Sequence, residues 1–137
     1  MIFVDTSFWV ALHVQRDDHH HAAKVVLSHI GREPLVTSNH VRGETWTWFR
    51  RRAGHAAAVS FLDRLERSAQ TGVAAINADM ERRALTWLRK HDEREYSYVD
   101  ATSFALMRSL KIRQVLAFDG DFTAAGFIEL RPQGSDT

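Results

Sequence analysis

Four short apolar runs, each too brief for a helix and each followed by a longer stretch of helical period, constrain this chain more than any other feature. The runs are Ile2-Phe3-Val4, Pro34-Leu35-Val36, Val73 to Ile76 and Val115 to Phe118, with Phe127 to Leu130 as an edge candidate. Between them, apolar spacing and capping residues predict helices over Thr6 to Val14, His19 to Ile30, Ser38 or Asn39 to Arg52, and Ala56 to Ala69. Two more follow, from the Asn77 cap to Lys90 and from Ser97 to Leu110, with a single turn over Asp121 to Ala125. Strands joined through helices need crossover connections, which build a parallel sheet with helices on both faces. The runs hardly alternate, as strands buried on both sides require. The expected fold is a three-layer α/β/α sandwich with a mostly parallel sheet of four to five strands. One domain is expected over residues 1–131, followed by a flexible tail over 132–137.

Composition removes whole classes of chemistry. Hydrophobic residues make up 45% of the 137 and charged residues 26%, enough to pack a core and too apolar for disorder. Cysteine is absent, which excludes disulfides, thiolate zinc sites, iron–sulfur clusters and cysteine nucleophiles. The net charge of +1 names no partner, so only the placement of charge is informative. No uncharged apolar run approaches the roughly 18 residues of a membrane span. The apolar start, Met1 to Val10, lacks a basic lead and is interrupted by Asp5, so a cytoplasmic protein is expected.

Acidic residues fall where acids are costly. Asp5 directly follows the first strand and Asp119 the fourth, which places both at strand C-termini on one edge of the sheet. In open parallel sheets, ligands bind at that edge, where the strand order reverses. Glu44 lies in the early turns of the helix after the second strand, and Asp100 in the first turn after Ser97. Each acid also has an ordinary role: Asp5 as a helix cap, Glu44 as a solvated helix residue, Asp100 as the partner of Ser97 in a cap, Asp119 in a turn with Gly120. Four separate segments delivering an acid to one edge weakens those readings jointly. Two carboxylates about 5 Å apart repel by roughly 3 kcal/mol at an effective dielectric of about 20. Such a cluster must raise its pKa values or take up a cation. Oxygen-only ligands favour a hard ion, Mg²⁺ or Mn²⁺, whose natural chemistry is phosphodiester hydrolysis.

The residues around these acids resemble the PIN-domain ribonucleases, and among them the VapC-type toxins of toxin–antitoxin pairs. Val4-Asp5-Thr6-Ser7-Phe8-Trp9-Val10-Ala11-Leu12 is similar to their opening strand and acid, and Asp17 to Ala23 to their entry into the second helix. Thr37-Ser38-Asn39-His40-Val41 leads to Glu44 as the second acid, and Tyr98-Val99-Asp100-Ala101-Thr102-Ser103-Phe104 carries the third. Leu116-Ala117-Phe118-Asp119-Gly120-Asp121-Phe122, then Ala125-Gly126-Phe127, is similar to the fourth acid and the close of the domain. The resemblance implies the sandwich above, metal-dependent endoribonuclease activity and neutralisation by a small antitoxin protein. It makes Asp5 and Asp100 the main metal ligands, completed by Asp119 and Glu44, with Asp121 as a further neighbour. Thr6 and Ser103 offer hydroxyls for a ligating water or a phosphate. A homodimer is implied too, with an antitoxin helix packing on Phe8, Trp9, Leu12, Trp46, Trp48 and Phe49 unless those side chains are simply buried.

Substrate contacts are less sharply marked. Arg50-Arg51-Arg52, Arg82-Arg83, Arg89-Lys90, Arg108, Lys111 and Arg113 are candidates for phosphates, and Trp46 or Trp48 for stacking on a base of single-stranded or looped RNA. Each is equally a solvated or packed helix residue. His19-His20-His21 point in different directions on a helix and do not form a metal site. Rival readings are a PIN nuclease of RNA processing outside any toxin system, a non-catalytic PIN-like binding module, and a phosphatase or receiver-like phosphotransfer domain. The last fits poorly, because Ser7 stands where a dehalogenase-type phosphatase needs a second Asp.

Overall fold

A computed structural model describes residues 1–133. In chain order the elements are β1 (Ile2–Val4), α1 (Thr6–His13), α2 (His20–Ile30), β2 (Leu35–Ser38), α3 (Asn39–Arg52), α4 (His55–Arg67), β3 (Thr71–Ala74), α5 (Ala78–Lys90), α6 (Tyr98–Ser109), β4 (Gln114–Leu116), α7 (Asp121–Ala124) and β5 (Ile128–Glu129). The strands form one sheet in the order β3-β2-β1-β4-β5, every pair parallel, including the edge strand β5. Strand order reverses between β1 and β4, where Phe3 pairs with Val115 and Val4 with Leu116. The C-terminal ends of those two strands therefore flank the switch point.

Strand alternation splits the interior into two layers. Phe3, Val36, Val115 and Ala117 point into a cluster with Met80 of α5, Phe104 and Met107 of α6, and Phe122 of α7. Ile2, Val4, Leu35 and Leu116 point the other way, against Phe8 and Ala11 of α1 and Ala23 and Val26 of α2. Both sets are apolar because helices cover both faces, which is why the sequence shows no alternation. A third cluster, Phe49, Ala58, Phe61 and Leu65, joins α3 to α4, with Trp9 bridging to it. Of the apolar side chains read as antitoxin surface or as buried, Phe8 and Phe49 are core residues, whereas Trp9, Leu12, Trp46 and Trp48 are half-buried.

Boundaries moved where backbone groups find side-chain partners. β4 ends at Leu116 because the next groups leave the ladder: the Ala117 carbonyl accepts from Arg131 Nη1 at 2.7 Å and the Phe118 amide donates to Ser7 Oγ at 3.0 Å. β3 lies two residues earlier than the run Val73 to Ile76, with Gly72 inside it, and the Ile76 amide donates to Asn39 Oδ1 at 2.9 Å. Ser38, and not Asn39, caps α3, its hydroxyl accepting from the Val41 amide at 3.0 Å. α2 starts at His20 and α4 spans His55 to Arg67. The expected tail falls, from Gly134 onward, outside the described residues. Among the described residues no helix is long and apolar enough to cross a membrane.

Candidate active site

A cleft of about 1250 Å³ opens over the carboxyl ends of β1 and β4. Asp5, Glu44, Asp100, Asp119 and Asp121 all line it. Asp5, 3% exposed, is the N-cap of α1, where its Oδ2 accepts from the Ser7 amide (3.2 Å) and the Ser7 hydroxyl (2.8 Å). Asp100 closes a capping box at the start of α6: the Ser97 amide donates to Asp100 Oδ2 at 3.0 Å, and the Asp100 amide to Ser97 Oγ at 2.9 Å. Asp119 Oδ1 accepts from the Asp121 amide at 3.1 Å, and Asp121 Oδ1 accepts from Arg94 Nε at 3.0 Å. In every case one carboxylate oxygen is bound to the protein and the other has no protein partner among the described residues. A capping role therefore leaves one oxygen of the same side chain open to a ligand.

Carboxylate oxygens of Asp100, Asp119 and Asp121 lie within 4.8 Å of one another. Asp5 and Glu44 line the same cleft but fall outside that triad. The electrostatic consequence is plain. Burial, then the negative charges of Asp119 and Asp100, push the Asp5 carboxyl well above its usual range, against the bonds from Ser7. Asp100 is pushed up to about 7, by burial first and then by Asp119 and Asp121, against the bonds from Ser97. Asp119, accessible at the mouth but walled in by the cleft, is pushed up to about 6 by its surroundings and by Asp121 and Glu129. Negative charge is under-compensated here. An all-oxygen donor set with free lone pairs and raised pKa values fits a hard divalent cation, which would remove the repulsion.

The auxiliary hydroxyls differ in setting. Thr6 lines the cleft, but its hydroxyl is paired with that of Thr45 at 2.9 Å, joining α1 to α3. Ser103 is fully buried in α6, away from the cleft lining, and its Oγ has no hydrogen-bond partner among the described residues. Of the basic candidates, Arg51 and Arg52 line the cleft, with Arg52 packed over Trp48 at 5.3 Å. Arg82 and Arg83 instead pair with Asp79, and Arg108 lies over Phe127. Two of the three adjacent histidines meet different neighbours: His20 Nδ1 lies 2.8 Å from the Ala11 carbonyl, and His19, which precedes α2, stacks on Phe118 at 4.5 Å.

Three residues that the sequence did not mark hold the site in place. Ser7 bonds to Asp5 and to the Phe118 amide at once, tying the β1 end to the β4 end. Its signal was the spacing: a hydroxyl two residues after a capping Asp. Glu129, with a side chain 2% exposed, accepts from the amides of Gly120 (3.2 Å) and Thr123 (2.9 Å) and pairs with Arg131 (3.0 Å), so it pins the loop that carries Asp119. Gly120 takes φ +80° in that loop, a conformation that favours glycine. Arg94 bonds Asp121 and, at 3.3 Å, the Asp119 carbonyl. Neither Glu129 nor Arg94 carries a local sequence signal.

Comparison with known proteins identifies the family. The PIN domain family model matches residues 2–128. The 23S rRNA-specific endonuclease VapC20 of Mycobacterium tuberculosis, in strains CDC 1551/Oshkosh and ATCC 25618/H37Rv, is 54% identical over 134 residues, covering 97% of this chain and 100% of the relative. The crystal structure of M. tuberculosis VapC20, described as a sarcin-ricin loop cleaving toxin, matches with a TM-score of 0.90 and 52% identity, covering 96% of this chain and 100% of that one. With a fold and a sequence shared over nearly their whole length, this chain belongs to the PIN-domain family, as an endoribonuclease of the VapC toxin type.

Proposed function

We propose that this protein cleaves a loop of 23S ribosomal RNA, the substrate class named for its relative, using Mg²⁺ or Mn²⁺ held by Asp100, Asp119 and Asp121 with Asp5 and Glu44 completing the acidic site. The observation that carries the reading is the convergence of these carboxylates on one cleft with one oxygen of each aspartate uncommitted. A bound divalent cation supplies charge neutralisation at the scissile phosphate and a water of lowered pKa. The chain's own part is positional. Asp5 and Asp100 are held rigid by their caps, and the free oxygen of Asp119 aligns the attacking water. Arg51 and Arg52 reach phosphates flanking the cut, and Trp48 gives a base a face to stack on. The catalytic unit spans residues 1–131 and works in the cytoplasm, where ribosomes are. It acts as a homodimer, restrained by a cognate antitoxin whose helix covers the half-buried Trp9, Leu12, Trp46 and Trp48 and sends a basic side chain to the acids.

The test is cleavage of a ribosomal loop RNA by purified protein with Mg²⁺, Mn²⁺ or EDTA, beside Asp5→Asn and Asp100→Asn. Wild type is expected to cut at one bond only with metal present, and each variant to lose at least about a hundredfold in rate while remaining folded by circular dichroism. Full activity in both variants, or in EDTA, refutes the assignment. Co-expression with the neighbouring antitoxin frame should yield an inactive complex.

A further inference from the structure

His40 stands in the first turn of α3, half-buried, four residues before Glu44, and lines the cleft. Its Nδ1 lies 3.2 Å from the hydroxyl of Thr102 on α6, and that hydroxyl donates to the Val99 carbonyl at 3.1 Å. A threonine hydroxyl has one proton to give. With that proton directed to Val99, the oxygen accepts from the imidazole, so the uncharged ring carries its hydrogen on Nδ1. Nε2, at the opposite edge of the ring, is then a bare acceptor with no partner among the described residues. Tyr98 packs beside the ring, centroids 6.0 Å apart, and is itself anchored by its hydroxyl to Glu81 at 3.2 Å. The acceptor is held in a fixed direction.

The acidic cluster explains hydrolysis but not the choice of RNA over DNA. Attack of a water on a phosphate at a cation makes no use of the ribose 2′-hydroxyl, so discrimination needs a group that touches it. A 2′-hydroxyl offers a donor, and several of the uncharged acceptors nearby are already engaged. Asn39 Oδ1 accepts from the Ile76 amide, Ser97 Oγ from the Asp100 amide, and the hydroxyls of Thr6 and Thr45 bond each other. His40 sits between two acid-bearing segments: Thr102 follows Asp100 by two residues, and Glu44 is one helical turn further along α3. With the scissile phosphate at these acids, the adjoining sugar would be the part of the substrate next to this position. We propose that His40 Nε2 accepts a hydrogen bond from the ribose 2′-hydroxyl next to the scissile phosphate, making His40 a specificity-determining residue for RNA. The inference rests on the cleavage site proposed above.

Two measurements test it. A proton–nitrogen correlation spectrum of the histidine rings at about pH 8, without RNA, should show His40 as the Nδ1–H tautomer, shifting toward Nε2–H in Thr102→Val. An Nε2–H ring in the wild type overturns the proposal. Cleavage is then compared on a loop RNA and on copies with single 2′-deoxy substitutions around the cut. One such substitution should lower wild-type kcat/KM about tenfold, and His40→Ala should lose the same factor on all-ribose RNA while becoming indifferent to that substitution. His40→Gln, whose amide reaches the place of Nε2, should recover most of the loss, and His40→Asn, which mimics Nδ1, should not. Undiminished 2′-deoxy sensitivity in His40→Ala overturns the idea, as does wild-type sensitivity only to removal of a base amine. Failure of the wild type to cut any RNA in Mg²⁺ or Mn²⁺ is a different result: it removes the cleavage reading and this proposal with it.

Discussion

Ser7 contributes two bonds through a single hydroxyl. It donates to Asp5 and accepts from the Phe118 amide, so the two strand ends that carry Asp5 and Asp119 are joined through one hydroxyl. Ser7→Ala leaves a part-buried amide unpaired and frees the Asp5 carboxylate from its strongest local restraint. The expected cost is about 1–3 kcal/mol in urea denaturation, with a fall in kcat larger than any change in KM. An unchanged kcat would show that Asp5 needs no such restraint. At this scale the acids themselves were legible, because an Asp directly after an apolar run is costly unless the fold uses it. The supporting hydroxyl was legible only as a helix residue, since its second partner lies 111 positions away.

The loop and helix around α7 depend on a charge brought in by the edge strand. Glu129 of β5 holds the amides of Gly120 and Thr123 and is paired with Arg131, which also bonds the Ala117 carbonyl and lies over Phe118 at 4.7 Å. Removing a buried partner strands the others. Glu129→Ala is expected to cost about 3 kcal/mol and to speed amide exchange at Gly120 and Thr123 while leaving Ser97 and Asp100 protected. Equal protection at all four amides would contradict the role assigned to Glu129. Sequence pattern marked β5 as an edge strand but gave no reason for a buried acid in it. A two-residue strand has too short a period to show which of its side chains points inward.

For the molecule as a whole, the acidic cleft sets the dependence of stability on pH and metal. Asp5, Asp100 and Asp119 hold protons more tightly in the fold than the unfolded value of 3.8, at about 7 for Asp100 and about 6 for Asp119. Raised folded values mean that their contribution is complete below the unfolded value and is lost as pH climbs through the folded ones. The metal-free protein should therefore melt lower at about pH 8 than at about pH 5, by roughly 5 °C or more. Mg²⁺ or Mn²⁺ at about a hundred times its Kd should restore roughly 2.7 kcal/mol at the higher pH and less at the lower one, where protons compete. Calorimetry across that range, with and without EDTA, checks both; a flat metal-free profile would mean that the carboxylates do not repel as their placement demands.

By itself the sequence determined the order of elements, the parallel sheet buried on both faces, and the acids at its carboxyl edge. Those follow from local terms: the period of apolar residues, the residues that cap helices, and the crossover needed between parallel strands. Tertiary structure alone decided that Asp121 joins Asp100 and Asp119, that Glu44 lines the cleft outside that triad, and that Ser7, Glu129 and Arg94 hold the arrangement. These depend on distances between segments far apart in the chain, which the strand order fixes and no local pattern encodes. The same holds for His40, whose bare nitrogen exists only because a threonine on another helix has already given its proton away.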